Sequence, residues 1–522
     1  MRALSKLPRE APFLVFAVII FALLLPVVIG QPWHIDLGMH LATLLRWDHA
    51  FTAPRNPLID VPGPSPYYSP YMLVWVLLMK AFGLSQFTVL KIAAGLNVII
   101  LLIGFRAFVG SFTRSAAPVM ISFLAWLLIW GWTSITWSGL FPLGTLLVTL
   151  PFPSTFATGC TLLLLALVRR TAVPSPADRS SLVLIILLSA LIVLSHPITG
   201  FAAAIGAVII LAPVLVGERR WRPLLIWAGV GAAALLLTMV WPWFRVTDLL
   251  ASPDGLDELH STLYVNAWQR YGLLVLTVPA LIERFRRNRW DPLPLLAAVN
   301  LALVLIGYAT GHYALGRMIT WAAIPAQVAV GLELWRALTG LRPRLRHWWR
   351  LVIIVSSLTA LIIGARYQLG AIRSVFPEQT RSWPASITAP FELWGDFDWA
   401  ARSMDYGDVV LTVDRHALRM IPAYGPYTVA PAYPDPLLPD AQPEREAVSE
   451  EFLDDDTDGQ RRAEIVDSYA VDWVIASEKE WSAPDGPQAG IDYQRITTGP
   501  DGEVLYRVIR QDSTDPDRTS GG

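Results

Sequence analysis

The sequence predicts a polytopic α-helical membrane protein that ends in a soluble α/β domain. Of 522 residues, 54% are hydrophobic and only 16% charged, and the mean hydropathy is +0.46. Several apolar runs reach the roughly 20 residues that cross a hydrocarbon core of about 30 Å as helix, where a barrel would show short alternating segments. The net charge of −1 conceals a division: Lys and Arg outnumber acids roughly two to one up to Pro377, and acids outnumber bases by a similar factor beyond it. The boundaries expected are a membrane part over 1–375 with its first outer loop at 31–70, an extracytoplasmic α/β domain over 376–510, and a disordered tail at 511–522. The single cysteine, Cys160, lies in an apolar run, which excludes a disulfide framework and a zinc-finger site. No nucleic-acid partner is expected.

The amino end, MRALSKLPRE, is basic, and the run Ala11 to Ile29 after it is too long for a signal-peptide core. It reads as a retained anchor with its amino end inside, so that the next segment, QPWHIDLGMHLATLLRWDH (Gln31 to His49), starts outside. Pro32 can open a helix in which Leu37, Leu41, Leu44 and Leu45 form an apolar stripe. Asp36, His40, Thr43 and Trp47 form the adjoining stripe. Such a helix is expected to lie in the membrane interface with Asp36 and His40, one turn apart, facing water.

The Pro- and aromatic-rich stretch Phe51 to Tyr71 reads as an interfacial loop. Apolar runs follow at Met72 to Phe82, Val89 to Phe108 and Pro118 to Trp132. Arg106 and Arg114 argue for a cytoplasmic loop, which makes the short first run re-entrant; if all three cross, Trp137 to Leu150 must cross as well. Further on, Arg169-Arg170, Trp221 in GERRWR, Arg284 in ERFRRNR, and Arg336 to Arg350 mark cytoplasmic ends. The turns between them are then outside: His196-Pro197, the loop Trp241 to Arg270, and Gly307 to Arg317. A last span, Leu351 to Ala365, returns the chain to the outer face, for eleven to thirteen spans in all. In the tail, GDVVLTVD, YTVAP and VDWVIAS read as strands, RHALRMIPAYG as helix or turn, GQRRAEIVDSYA as helix, and YQRITTGPDGEVLYRVIR as a hairpin around Pro500-Asp501-Gly502. EEFLDDDTD, Glu450 to Asp458, lacks the ligand spacing of an EF-hand and reads as a solvated acidic loop.

Polar groups just outside spans are the candidates for chemistry. Asp36 sits where a helix dipole favours an ionised carboxylate, which suits a general base or a metal ligand; the plain alternative is a helix cap. His34, Asp36 and His40 make a His-x-Asp-x-x-x-His pattern compatible with a divalent ion, Mg²⁺ or Mn²⁺, although a hydrogen-bonding role for His40 fits the geometry of one helix start better. Arg317 stands where an outer turn re-enters the membrane, and its guanidinium fork suits a phosphate; the alternative is snorkelling to headgroups. His312 and Tyr313, in the same turn, can line the same site. His196 is a weaker candidate, as is His260, which with Asp257 and Glu258 can touch a sugar. Tyr68, in the Tyr-Pro-rich run, completes the substrate-binding set.

A basic amino end, one span, an outer loop with an Asp on a helix, many further spans and an outward α/β domain resemble the GT-C glycosyltransferases. DLGMHLATLLR (Asp36, His40), YYSPYMLVWVLLMKAFGLS, SHPITG and GRMITWAAIPAQVAVGLEL (Arg317) are similar to stretches in bacterial membrane proteins of that superfamily, as are VVLTVDRHALRMIPAYG and IVDSYAVDWVIAS in the tail. The first loop departs from the metal-dependent members in lacking an Asp-x-Asp or Asp-Glu pair. The resemblance implies a cell-membrane enzyme that moves a sugar from a polyprenyl-phosphate donor to a glycan, lipid or protein acceptor on the outer face, with inversion. It implies Asp36 as the base, His40 as its positioner, Arg317 on the lipid phosphate, and a tail domain that shapes acceptor access. Two rivals remain: a transporter or flippase of lipid-linked sugars, which predicts ionisable residues at mid-span, and a non-catalytic envelope assembly protein.

Overall fold

A computed structural model describes residues 10–173, 175, 178–217, 221–251, 254–340, 347–376, 393–438 and 441–511. The tail expected to be disordered lies, apart from Gln511, outside the described residues. By contacts the chain divides into two units. The first comprises Met1–Ile35, Ser69–Trp75 and Phe87–Leu393, the second Asp36–Tyr68, Val76–Gln86 and Trp394–Gly522.

Seven described helices in the first unit are long and apolar enough to cross a membrane, among them Ala11–Gly30, Gln86–Gly110, Pro292–Thr310, Tyr313–Thr339 and His347–Arg373. The chain is a multi-pass membrane protein. An eighth candidate is the pair Leu143–Thr149 and Pro153–Arg170, bent by 112°. Pro70–Phe82, Ala116–Leu128 and Arg179–Ser195 are shorter apolar helices, and the expected eleven to thirteen spans count such segments as crossing.

The stretch Trp137 to Leu150, expected to cross if its neighbours do, is not one continuous helix. After Ala116–Leu128 the backbone runs irregularly to Pro142, and only then begins the seven-residue helix Leu143–Thr149. Irregular backbone away from water requires internal partners. They are present: Gln327 Nε2 donates to Ile129 O at 2.7 Å, Leu273 N to Trp130 O at 3.0 Å, and Trp132 N to Gln269 O at 2.8 Å. Small residues let the helices approach: a Cβ on Gly104 would stand 2.0 Å from Gly159 O, and one on Gly364 2.2 Å from Leu128 O.

Charges sort along the helix Ile319–Thr339. Near its carboxy end the buried Glu333 meets Arg284 (3.2 Å), Arg336 (3.2 Å) and Arg287, while Arg284 also pairs Asp291 at 2.6 Å. The rings bring in a further basic cluster, since Phe112 lies under both Arg169 (4.2 Å) and Arg284 (5.3 Å). Arg317 stands at the opposite end, about 24 Å from Glu333 at 1.5 Å rise per residue.

The second unit is built on a five-stranded mixed sheet of β1 (Val409–Leu411), β2 (Tyr427–Thr428), β3 (Trp473–Ser477), β4 (Ile491–Thr498) and β5 (Glu503–Arg510), in the order β2-β1-β3-β5-β4. β1 is parallel to β2 and β3, so helices must return the chain between them. Arg415–Met420 serves the first connection, Ala441–Leu453 and Gly459–Tyr469 the second. Asp414 and Asp458 cap two of these helices by accepting from His416 N, Ala417 N and Arg461 N. β4 and β5 form the expected hairpin, turning at Gly502 with φ +94°. Val409, Leu411, Val474, Ala476, Val504 and Phe452 make its core.

The segment that follows Asp36 packs with this sheet. Thr428 N donates to Leu58 O at 2.9 Å and Asn56 Nδ2 to the Asp435 carboxylate at 2.8 Å.

Candidate active site

The helix of the Asp36 motif begins at Leu37 rather than at Pro32. Gln31 (φ 46°) and Ile35 (φ 48°) both turn left-handed just before it, a conformation that costs a β-branched residue on the order of 1–2 kcal/mol. Asp36 therefore occupies the N-cap position, yet its side chain makes no capping bond. The carboxylate instead accepts the phenolic O–H of Tyr433, whose oxygen accepts from Arg419 Nε at 2.7 Å. Burial, and then the Asp36 charge, push the Tyr433 phenol well above its ordinary value, with Arg419 opposing, so the phenol keeps its proton and donates. The Arg419 guanidinium lies 4.6 Å from the Tyr433 ring and 5.6 Å from that of Trp394, and Trp394 lies 4.7 Å from His416.

Two features hold the motif helix to this cluster. A Cβ on Gly38 would stand 1.8 Å from Arg419 O, so the two helices meet backbone to backbone where only glycine fits. One turn before its end, the buried Arg46 lies 3.6 Å from the Tyr427 ring and 4.9 Å from that of Tyr406, and donates to the carbonyls of Gly425 and Pro426.

The helix is not the interfacial, water-facing platform expected. Leu37 through Leu44, Arg46 and Trp47 are all buried, because the α/β domain covers the side predicted to face water. His40 is 4% exposed, and burial pushes its imidazole down to about 3, so it is neutral across the physiological range; its ring lies 6.4 Å from Tyr67. Asp36 is half-buried. Tyr68 is buried too, its phenol donating to Arg55 O and its ring 5.1 Å from Trp47.

The other candidates belong to the first unit. Arg317 is 9% exposed, which removes the snorkelling alternative. Its guanidinium donates to Ser138 O, lies 3.4 Å from His260 Nε2 and sits over the Trp137 ring at 5.7 Å. At Gly139 (φ +82°), a Cβ would stand 3.2 Å from the Arg317 guanidinium, 3.7 Å from the His196 ring and 3.7 Å from Ser154. Arg317 and His196 are thus brought to one place, with His260, Trp137, Ser138 and Ser154 beside them. His196 Nδ1 in turn faces Thr199 Oγ1 at 2.8 Å. The helix Asp254–Ser261 carries both His260 and Asp257, and Asp257 accepts from Ala314 N at 2.8 Å and faces the exposed His312 at 3.5 Å. Tyr313 packs on Tyr264 at 5.5 Å. His34 is buried in the same unit.

Among the described residues, no group of three or more His, Cys, Asp or Glu side chains is placed to hold a metal ion. The phenol of Tyr433 bonds the Asp36 carboxylate, with the Arg419 guanidinium on the phenol oxygen.

No protein-family model matches the sequence, and no curated protein matches it. Solved structures do. ArnT from Cupriavidus metallidurans in the apo state aligns with a TM-score of 0.51 at 13% identity, covering 96% of this chain and 98% of that one. The fold is GT-C. The same ArnT bound to undecaprenyl phosphate aligns at 0.50 and 15%, covering 95% and 98%. The arabinofuranosyltransferase AftD from Mycobacteria aligns at 0.53 and 14%, covering 96% of this chain and 40% of that longer one. Local motifs single out Asp36, Arg317 and His196 but not Tyr433, Arg419 and the Ser138–Gly139 bend, which carry no local signature.

Proposed function

We propose that this chain is a membrane glycosyltransferase that transfers a sugar from a polyprenyl-phosphate donor to a glycan, lipid or protein acceptor on the outer face, inverting the anomeric centre. The observation that carries the reading is the Asp36 carboxylate of a GT-C fold, released from helix capping and held by a phenol. Asp36 takes the proton of the acceptor hydroxyl as its oxygen attacks the anomeric carbon. The bond from that carbon to the phosphate oxygen breaks on the opposite side, and the electron pair leaves with the polyprenyl phosphate. Arg317, with His260 and His196 beside it, binds that phosphate and stabilises its charge as the bond breaks. His40, neutral and enclosed, supports the start of the motif helix. The fit to ArnT, which was solved with undecaprenyl phosphate bound, supports a lipid-phosphate ligand.

The test is a panel of undecaprenyl-phosphate sugars supplied to the full-length protein in proteoliposomes. Release of undecaprenyl phosphate with sugar transfer, absent from Asp36→Asn, is expected. Passage of the intact donor across the bilayer without cleavage would instead establish the transporter reading.

A further inference from the structure

Asp at a helix N-cap ordinarily turns its carboxylate onto the first free N–H groups. Asp36 does not, and something must hold it elsewhere. The holder lies roughly 400 residues away in sequence: Tyr433 donates its O–H to Asp36 and takes Arg419 Nε on its oxygen at 2.7 Å. With the Arg419 donor occupying the lone-pair side of the phenol, the single phenolic proton is left to point at Asp36. Arg419 is itself fixed, between the rings of Trp394 and Tyr433 and with Nη1 3.4 Å from Arg415 O. Gly38 sets the spacing of the whole chain of contacts, since its backbone abuts Arg419 O.

From this geometry we propose that Tyr433, steadied by Arg419, is the positioning residue that holds the Asp36 carboxylate in the orientation for proton abstraction. The α/β domain is thereby a part of the catalytic apparatus rather than an appended acceptor guide. The inference rests on Asp36 being the base. Among the described residues, Arg419 bonds Tyr433, and Arg415, on the same short helix, acts on both electrostatically.

Tyr433→Phe in the full-length protein keeps the ring and deletes the hydroxyl. With the donor that the panel identifies, kcat is expected to fall by about 100-fold with KM little changed, as for a misaligned catalytic group. The acid limb of the pH–rate profile is expected to move up by about one pH unit, because the carboxylate loses a donor to its charged form. Arg419→Lys, which keeps a cation, is expected to retain more of the rate than Arg419→Gln. If Asp36→Asn is inactive while Tyr433→Phe matches the wild type in rate and pH profile, the inference fails and the base reading stands. If Asp36→Asn still transfers sugar, both fall. A substrate-free measurement decides the contact independently: melting shifts of Asp36→Asn, Tyr433→Phe and the double variant are expected to be non-additive, and additive shifts would overturn the proposal.

Discussion

The two units hold a charged side chain in different ways. In the membrane unit, Arg317 lies against the Ser138 carbonyl, the His260 and His196 rings and the Trp137 face. In the second unit, Asp36 is an anion whose counter-charge, Arg419, is held one phenol away. An arginine placed against a backbone carbonyl and ring faces suits the phosphate-binding role proposed for it. A carboxylate held by a phenol that itself carries a guanidinium on its oxygen suits the proton-taking role proposed for it. On the proposed function, one unit binds charge and the other moves a proton.

That comparison breaks most decisively at Asp36. Asp36→Asn is expected to lower transfer by about 10²- to 10⁴-fold, the usual worth of a general base, while undecaprenyl phosphate binding stays at the wild-type level. Loss of both together would mean that the carboxylate serves binding or folding. Gly38→Ala comes next: a methyl group 1.8 Å from a backbone oxygen cannot be absorbed by side-chain motion. Thermal melting is expected to show a loss of about 1–3 kcal/mol from this overpacking. Arg317→Ala is expected to weaken undecaprenyl phosphate binding by about 2–3 kcal/mol, read by native mass spectrometry or lipid titration, with no change in melting of the α/β domain.

A smaller effect separates the units by pH. The His40 imidazole sits near 3 when folded against 6.5 when free, so the unfolded chain takes up a proton that the folded one refuses. Stability is therefore complete above pH 6.5 and declines as pH falls from 6.5 towards 3. Denaturation midpoints between pH 7 and 4 are expected to show this slope, and His40→Gln to flatten it. The smallest expected effect is that of chelation. With a phenol and a guanidinium around Asp36, EDTA is expected to leave the transfer rate unchanged, and a rate restored by added Mg²⁺ or Mn²⁺ would reverse that expectation.

Much of the framework was legible because its causes are local. The hydrophobic runs mark the spans, the hairpin follows from Pro500-Asp501-Gly502, and the helix Gly459–Tyr469 lies within the segment its pattern indicates. The motif helix shows where local reading stops. Its leucine stripe was real, and all but Leu45 of it is buried, but the adjoining stripe is buried as well, Asp36 apart. No periodicity within 13 residues can reveal that the helical segments Arg415–Met420 and Ile421–Tyr424 cover the other face.

What the sequence alone determined is therefore the membrane character, the soluble α/β ending, and two chemically eligible residues, Asp36 and Arg317. These follow from hydrophobicity, propensity and charge counted along the chain. The tertiary structure decided their partners: Tyr433 and Arg419 for one, and Ser138, His260 and His196 for the other. Such partners are chosen by helix-to-helix approach at single glycines and by backbone breaks between spans. Those contacts join positions far apart in sequence, and they depend on volume and orientation rather than on any pattern a short segment carries.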